Sequence, residues 1–405
     1  MSAPSDSPNS LAQPFPAATA GLRPSTVLLM AVSVGVIVAN IYYIQPLLAQ
    51  VAATFHLTVA KAGALAMISQ AGTAVGMFLF VPLGDKFERR GLVTTLLLAS
   101  CVSLLLVATA AQVWWMALAC FLMGAAMANV HVIVPFAAHL AAPEQRGRVV
   151  GTVVAGILFG VLLARTFSGL VGEWLGWRAV YFIAAGAMLV LAFVVRWRLP
   201  ASHPETKISW LELMRSTAGL VRRYPELRES ALLGALFFAG FSAFWTTLIF
   251  LLESPSYGYG SAAAGLFGLV GAIGAAGAPT IGHLSGKYGP RTTIRLALWL
   301  AAASFLLLGA TGKHLAGLIL GVILMDIAVQ TGHVANQTRI YSIDPNSRSR
   351  LNMVYMVCYF VGGGVGSFLG ALAWHWAGWW GVCGFGAAAP ALGLVVETWY
   401  ERRRA

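Results

Sequence analysis

Arg165 and Asp326 are the two charges set deepest in long apolar stretches of this 405-residue chain. Burying either one alone in hydrocarbon costs about 3 kcal/mol on insertion scales, so each needs a cavity or a partner. At about 1.5 Å per helical residue, Arg165 lies ~9 Å and Asp326 ~17 Å below the same boundary, a difference that an arginine side chain can bridge. Asp326, Gln330, His333 and Gln337 are spaced 4, 3 and 4, which puts four polar groups on one helix face. That face reads as a cavity wall. His333 is either a second proton site or a hydrogen-bonded packing histidine, and His131 beside Asn129 poses the same choice. Asn40, Tyr43, Gln45 and Pro46 form a second polar group, in which the amides and phenol can hold a solute and the proline can bend the helix. Tyr42 and Tyr43 equally suit interfacial anchors. Phe237, Phe241 and Phe244, followed by Trp245, make an aromatic stripe for an apolar solute or for packing. Asn352, Tyr355 and Tyr359 share another face.

The elements that position these residues are stretches of about twenty apolar residues, the length needed to cross roughly 30 Å of hydrocarbon. Hydrophobic residues make up 59% of the chain and charged ones 10%, a balance that no water-soluble fold of this size conceals. Runs such as 91–108 and 296–309 lack the alternation of barrel strands, so helices are expected. Twelve spans are predicted, at 26–49, 61–82, 91–111, 113–138, 148–171, 177–196, 229–252, 260–283, 291–311, 315–338, 350–373 and 378–397. The expected class is an all-α polytopic membrane protein.

Twenty-one of the 26 lysines and arginines fall at the ends or in even-numbered loops, against Lys61, Arg178 and Lys313 on the other side. Basic loops collect on the cytoplasmic face, which places both termini there. The net charge of +12 is thus expected to face an anionic leaflet rather than nucleic acid. Residues 1–22, rich in Pro, Ser and Ala, read as a disordered cytoplasmic tail without a cleavable signal. A six-helix unit at 23–198, a cytoplasmic linker with amphipathic helices at 199–228, a second six-helix unit at 229–398 and a tail at 399–405 follow. The four cysteines fall inside spans and read as packing residues.

An internal repeat supports two halves. Glu173-Trp-Leu-Gly-Trp-Arg-Ala-Val180 matches His375-Trp-Ala-Gly-Trp-Trp-Gly-Val382 at an offset of 202, which also sets Arg146 and Arg148 on Arg348 and Arg350. Asp85-Lys-Phe-Glu-Arg-Arg90 matches Gly286-Lys-Tyr-Gly-Pro-Arg291 at 201. Such repeats suit a transporter built around a pseudo-two-fold axis.

With these landmarks the chain resembles the major facilitator superfamily, and within it the bacterial proton-linked drug, sugar and metabolite efflux permeases. Leu83, Gly84, Asp85, Lys86, Arg89 and Arg90 fit the family's loop between spans two and three, while Val81 and Glu88 replace its two glycines. The resemblance implies twelve helices in two pseudo-symmetric six-helix bundles, with Asp85, Lys86, Arg89 and Arg90 as a cytoplasmic gate. An ordinary cation-rich loop is the other reading. The resemblance also sets spans five and ten in opposite bundles beside the cavity, so that Arg165 and Asp326 can pair. Asp326 would then alternate between Arg165 and a proton, or the two would form a permanent structural pair. Two features depart from the antiporter pattern: Cys120 stands where many members carry an arginine, and the span-five motif runs Gly156-Ile-Leu-Phe-Gly160-Val161-Leu-Leu-Ala164-Arg165 without its proline.

The expected function is export of a small organic solute from the bacterial cytoplasm across the inner membrane, by alternating access with proton antiport. Uptake or exchange of an organic anion held by Arg165 is the second reading, and a channel or sensory protein the third. No metal cluster, paired nucleophile and base, or phosphate-cradling Gly-Lys-Ser/Thr loop is found, so no enzyme activity, cofactor or ATP use is expected. The partners implied are a small solute, protons and the bilayer, with the chain acting as a monomer.

Overall fold

The structure, a computed structural model, describes residues 22–202, 210–276, 287–344 and 347–403, and leaves out the side chains of Asp85, Trp210 and residues 272–276. Residues 1–21 of the expected tail at 1–22, part of the linker at 203–209 and the end of span eight at 277–283 lie outside the described residues. So do Lys207 and Arg404.

The described elements are helical. Span one is two pieces, α1 (Pro24–Ala39) and α2 (Ile44–Phe55); α3 (Val59–Phe80), a 3-10 turn (Pro82–Asp85) and α4 (Arg89–Ala108) follow. Span four is α5 (Val113–Ala126) and α6 (Asn129–Leu140), and spans five and six are α7 (Arg146–Leu175) and α8 (Trp177–Arg198). The linker contains α9 (Trp210–Arg223), with Met214, Thr217 and Leu220 buried on one face. Spans seven to ten are α10 (Pro225–Leu252), α11 (Ser261–Ala276, the described part of span eight), α12 (Pro290–Thr311) and α13 (Leu315–Tyr341). The last helix, α14 (Arg348–Arg402), holds two spans divided by non-helical backbone at Ala377 and Gly378. Ten of the described helical segments are long and apolar enough to cross a membrane, α14 counting as one of them.

Two breaks in mid-span shape the interior. In span one Pro46 has no N–H to give the Tyr42 carbonyl, and the Gln45 amide donates there instead at 3.3 Å, which tightens the turn at 40–43. The break turns Tyr42 and Gln45 inward. In span four the helix breaks at Met127–Ala128, with bonds to Gly124 and Ala125 carbonyls three residues back.

The repeat has a backbone cause. Gly176 and Gly378, which the 202-residue offset superposes, take positive φ values of 79° and 56° in the turns after α7 and in the middle of α14. At the other matched loop Gly289 has φ 81°, while its counterpart Glu88 has φ −58°. The glycine missing from the first loop is therefore not required there.

Packing repeats the relation. In the first half, Gly156 and Gly160 of α7 lie directly on the Ala31 and Gly35 backbone of α1; in the second, Gly362 and Gly366 of α14 lie on Ala235 and Ala239 of α10. Spans one and five thus pack as seven and eleven do, through small residues that let backbones touch. Replacing Gly160 by alanine is expected to cost about 1–3 kcal/mol through overpacking. A melting temperature in detergent equal to that of the wild type would contradict so close a contact.

Candidate substrate and proton site

Arg165, on α7, is 2% exposed. Its Nε donates to Gln45 Oε1 at 2.8 Å. The guanidinium lies 3.9 Å from the Trp245 ring centroid, 4.9 Å from Tyr42 and 5.6 Å from Phe241. Three faces of an aromatic cage thus surround one cation, two from α10 and one from the span-one break, an arrangement that holds a desolvated guanidinium without a carboxylate. Its Nη2 is buried with no hydrogen-bond partner, as is Trp245 Nε1.

Asp326, on α13, is 6% exposed, and its Oδ2 is likewise buried without a partner. The carboxylate abuts Gly271 of α11: a Cβ there would sit 3.0 Å from Asp326 Oδ2 and 3.5 Å from Trp245 Cζ2. A Cβ on Gly268 would sit 3.0 Å from Arg165 Cβ. The two charges therefore flank the same glycine face of α11 and the same indole. They form no salt bridge in this conformation, Arg165 being held by Gln45 and the cage.

Along α13, His333 Nδ1 is hydrogen-bonded to the Tyr355 hydroxyl at 3.1 Å, and its ring lies 4.8 Å from that of Tyr359. Tyr359 stacks on Phe238 at 4.0 Å, and Phe238 on Phe241 at 5.6 Å. An aromatic wall thus runs from His333 to Arg165. Gln337 Nε2 donates to Asn352 Oδ1 at 3.3 Å, and Gln330 is half-buried on the same face. Other candidates turn elsewhere. Asn40 donates to Met188 Sδ at 3.5 Å, Asn129 donates to the Val93 carbonyl at 3.1 Å, and Tyr43 packs on Phe167 at 5.7 Å. His131 is half-buried, its Nε2 without a partner. Phe237 and Phe244 pack against Gly332 and Trp379, so only Phe241 and Trp245 of that stripe reach the cation.

The halves touch at the end that carries the cation-poor loops. Glu173 accepts from the Ser261 hydroxyl at 3.1 Å and from the Ala262 amide at 2.9 Å, capping the start of α11. Gln50 donates to Ser261 Oγ and to the Gly172 carbonyl, each at 3.0 Å. Toward the middle, Gln70 and Thr246 both donate to Ser367 Oγ at 3.0 Å. Burial, and then the Glu173 carboxylate, push the Glu253 carboxyl above its ordinary value in the loop after α10. An acid raised in this way favours the closed contact at low pH. That advantage is lost as pH climbs from the ordinary carboxylate value through the raised one. Hydrogen exchange over 253–265, corrected for its intrinsic pH dependence, is expected to rise across this range in the wild type and to stay flat in Glu253→Gln. Identical profiles would contradict it.

The family model described as Major Facilitator Superfamily matches residues 30–367. The chain belongs to this superfamily. It is 40% identical over 376 residues to "Uncharacterized transporter YgaY" of Escherichia coli O157:H7, covering 93% of this chain and 95% of that protein. It is 25% identical over 364 residues to a "Probable sugar efflux transporter" of Helicobacter acinonychis, covering 88% and 89%. Among solved structures it is similar to a mutant form of the nucleoside transporter NupG. The TM-score is 0.77 and the identity 14%, over 92% of this chain and 98% of that one. The chain is thus a multi-pass membrane transporter with the major facilitator fold, and not an enzyme.

The facilitator's other end carries the loop that sequence reading marks as a gate. Arg89 Nε donates to the Gly84 carbonyl at 3.0 Å, Arg90 pairs with Glu88 at 3.1 Å and donates to the Leu199 carbonyl at 3.4 Å. Lys86 lies 5.8 Å from the Phe87 ring, and the side chain of Asp85 is outside the described residues. In the second half the same end holds an ionic network that the sequence reading missed. Arg339 pairs with Glu229 at 2.5 Å; Arg291 lies 3.7 Å from Glu229 and 3.3 Å from Glu397; Arg295 pairs with Glu397 at 2.7 Å and Glu401 at 2.6 Å. Glu229 and Glu397 are fully buried. Each lies in the outermost turns of a span, where a charge looks like part of a solvated loop.

Proposed function

We propose that this facilitator exports a small organic solute by alternating access, in exchange for protons carried by Asp326. The observation that supports this reading is the pair of opposite charges, Arg165 and Asp326, both buried, unbridged and flanking one glycine face of α11. A carboxylate in such a place must be neutralised during each cycle, by a proton, by a cationic solute or, among the described residues, by Arg165.

With the cation-rich loops read as cytoplasmic, the end latched by Glu173, Gln50 and Ser261 would face outward and the conformation would be closed to the outside. Residues 23–198 and 229–398 would then rock as two bundles about the central site, joined by the linker that contains α9. Asp85, Lys86, Arg89 and Arg90 would close the cytoplasmic end in the opposite state. The efflux name of the Helicobacter acinonychis relative agrees with outward transport. Localisation in the inner membrane with both termini inside, and action as a monomer, complete the reading.

The purified protein in liposomes, loaded with candidate solutes and given a pH gradient, tests it. Solute movement accompanied by opposite proton movement is expected. Flux indifferent to both pH gradient and membrane potential would make it a uniporter instead.

A further inference from the structure

The central site has an unusual balance of unmet hydrogen-bonding groups. Arg165 Nη2 and Trp245 Nε1 are donors, Asp326 Oδ2 is an acceptor, and all three are buried without partners. The residues that carry them are 2%, 2% and 6% exposed. Buried polar groups are almost always satisfied, so orphaned atoms gathered at one site mark what a ligand supplies. The side chains that carry the two donors are in contact, the guanidinium lying 3.9 Å from the indole centroid. The acceptor and the indole both border Gly271. Gly271 and Gly268 leave the wall of α11 without side chains where it faces these groups, and Phe241 and Tyr42 supply apolar faces beside the cation.

From this we infer that the transported solute is a small zwitterion with an apolar body. Its carboxylate would lie on Arg165 Nη2 and Trp245 Nε1, and its ammonium group on Asp326 Oδ2. A guanidinium and an indole N–H both donate to a carboxylate, and a desolvated carboxylate is the natural partner of an ammonium group. A neutral sugar would bring no opposite charge to Arg165 Nη2 or to Asp326 Oδ2, and a simple anion or cation would serve only one of them. The assignment rests on the proposed carrier reading and adds a link to it. Ammonium group and proton compete for one carboxylate, which is how exchange of one for the other arises.

Isothermal titration of the purified protein with L-phenylalanine, glycyl-L-phenylalanine, 3-phenylpropanoate, 2-phenylethylamine and D-xylose tests the assignment. At least one of the two zwitterions is expected to bind tenfold or more tightly than each of the other three. Arg165→Gln should level that zwitterion with 2-phenylethylamine, and Asp326→Asn should level it with 3-phenylpropanoate, with melting curves showing that both variants are folded. Binding of D-xylose or a singly charged probe as tightly as the zwitterions, or of none of the five, would overturn the assignment. The wild-type comparison decides even if a variant does not fold. Proton-coupled flux in liposomes is read separately, so a carrier with a different substrate class and a protein that is no proton-coupled carrier give different results.

Discussion

Glu229→Gln is expected to destabilise the protein by about 3–5 kcal/mol, the cost of breaking a buried ion pair from one side. Glu229 is fully buried at the start of α10, and Arg339, reaching it at 2.5 Å, is only 9% exposed. Losing the carboxylate strands that guanidinium, since water cannot replace the missing partner. Arg291, at 3.7 Å and with its side chain 31% exposed, can turn toward Glu397 and is the lesser loss. The double change Glu229→Leu with Arg339→Leu removes both charges and should recover most of the stability, because an apolar pair of similar volume escapes the desolvation cost. Melting temperatures of the single and double variants in detergent check this. A single variant as stable as the wild type would show that the pair is solvated in the working protein.

Arg165→Lys is expected to reduce transport about 100-fold, against a wild-type rate measured by solute exchange between liposome compartments. The guanidinium does two things that an ammonium group cannot do at once: Nε donates to Gln45 while the plane stacks on Trp245. A charged hydrogen bond contributes ~1.5–3 kcal/mol and a desolvated cation–π contact ~2 kcal/mol, and losing about 3 kcal/mol between them gives that factor. Gln45 comes from the first half and Trp245 from the second, so the substitution also loosens a contact between the halves. Full exchange by the lysine variant would reduce Arg165 to a point charge.

Much of this was legible in the chain. Apolar stretches of crossing length specify the helices, and the offset of 202 residues aligns Gly176 with Gly378, which share a positive φ. Arg165, Asp326, Gln45, Phe241 and Trp245 stood out because polar or aromatic groups deep in lipid-length segments need a reason. What the chain did not reveal depends on helix rotation and on breaks. Asn40 and Asn129 look like cavity amides, yet their donors are taken by Met188 and the Val93 carbonyl. Tyr42, equally well read as an interfacial anchor, is turned onto Arg165 by the break before Pro46. Depth and the family resemblance allow an Arg165–Asp326 pair, but neither shows that in this conformation Arg165 is held by Gln45 and the Trp245 indole instead. Glu229, Arg339 and Glu397 sit in end turns where charge is ordinary, and only packing makes them buried partners. Glu173 stands out only as the first residue of the repeat, because capping a helix of the other half is invisible without the fold.

In the proposed mechanism coupling of solute to proton turns on Asp326, and one comparison tests that directly. In liposomes, Asp326→Asn is measured both for net solute movement driven by a pH gradient and for proton flux during that movement. The expected result is loss of gradient-driven accumulation and of proton flux in a variant that still melts as the wild type does. Gradient-driven accumulation and proton flux at the wild-type level in Asp326→Asn would contradict it.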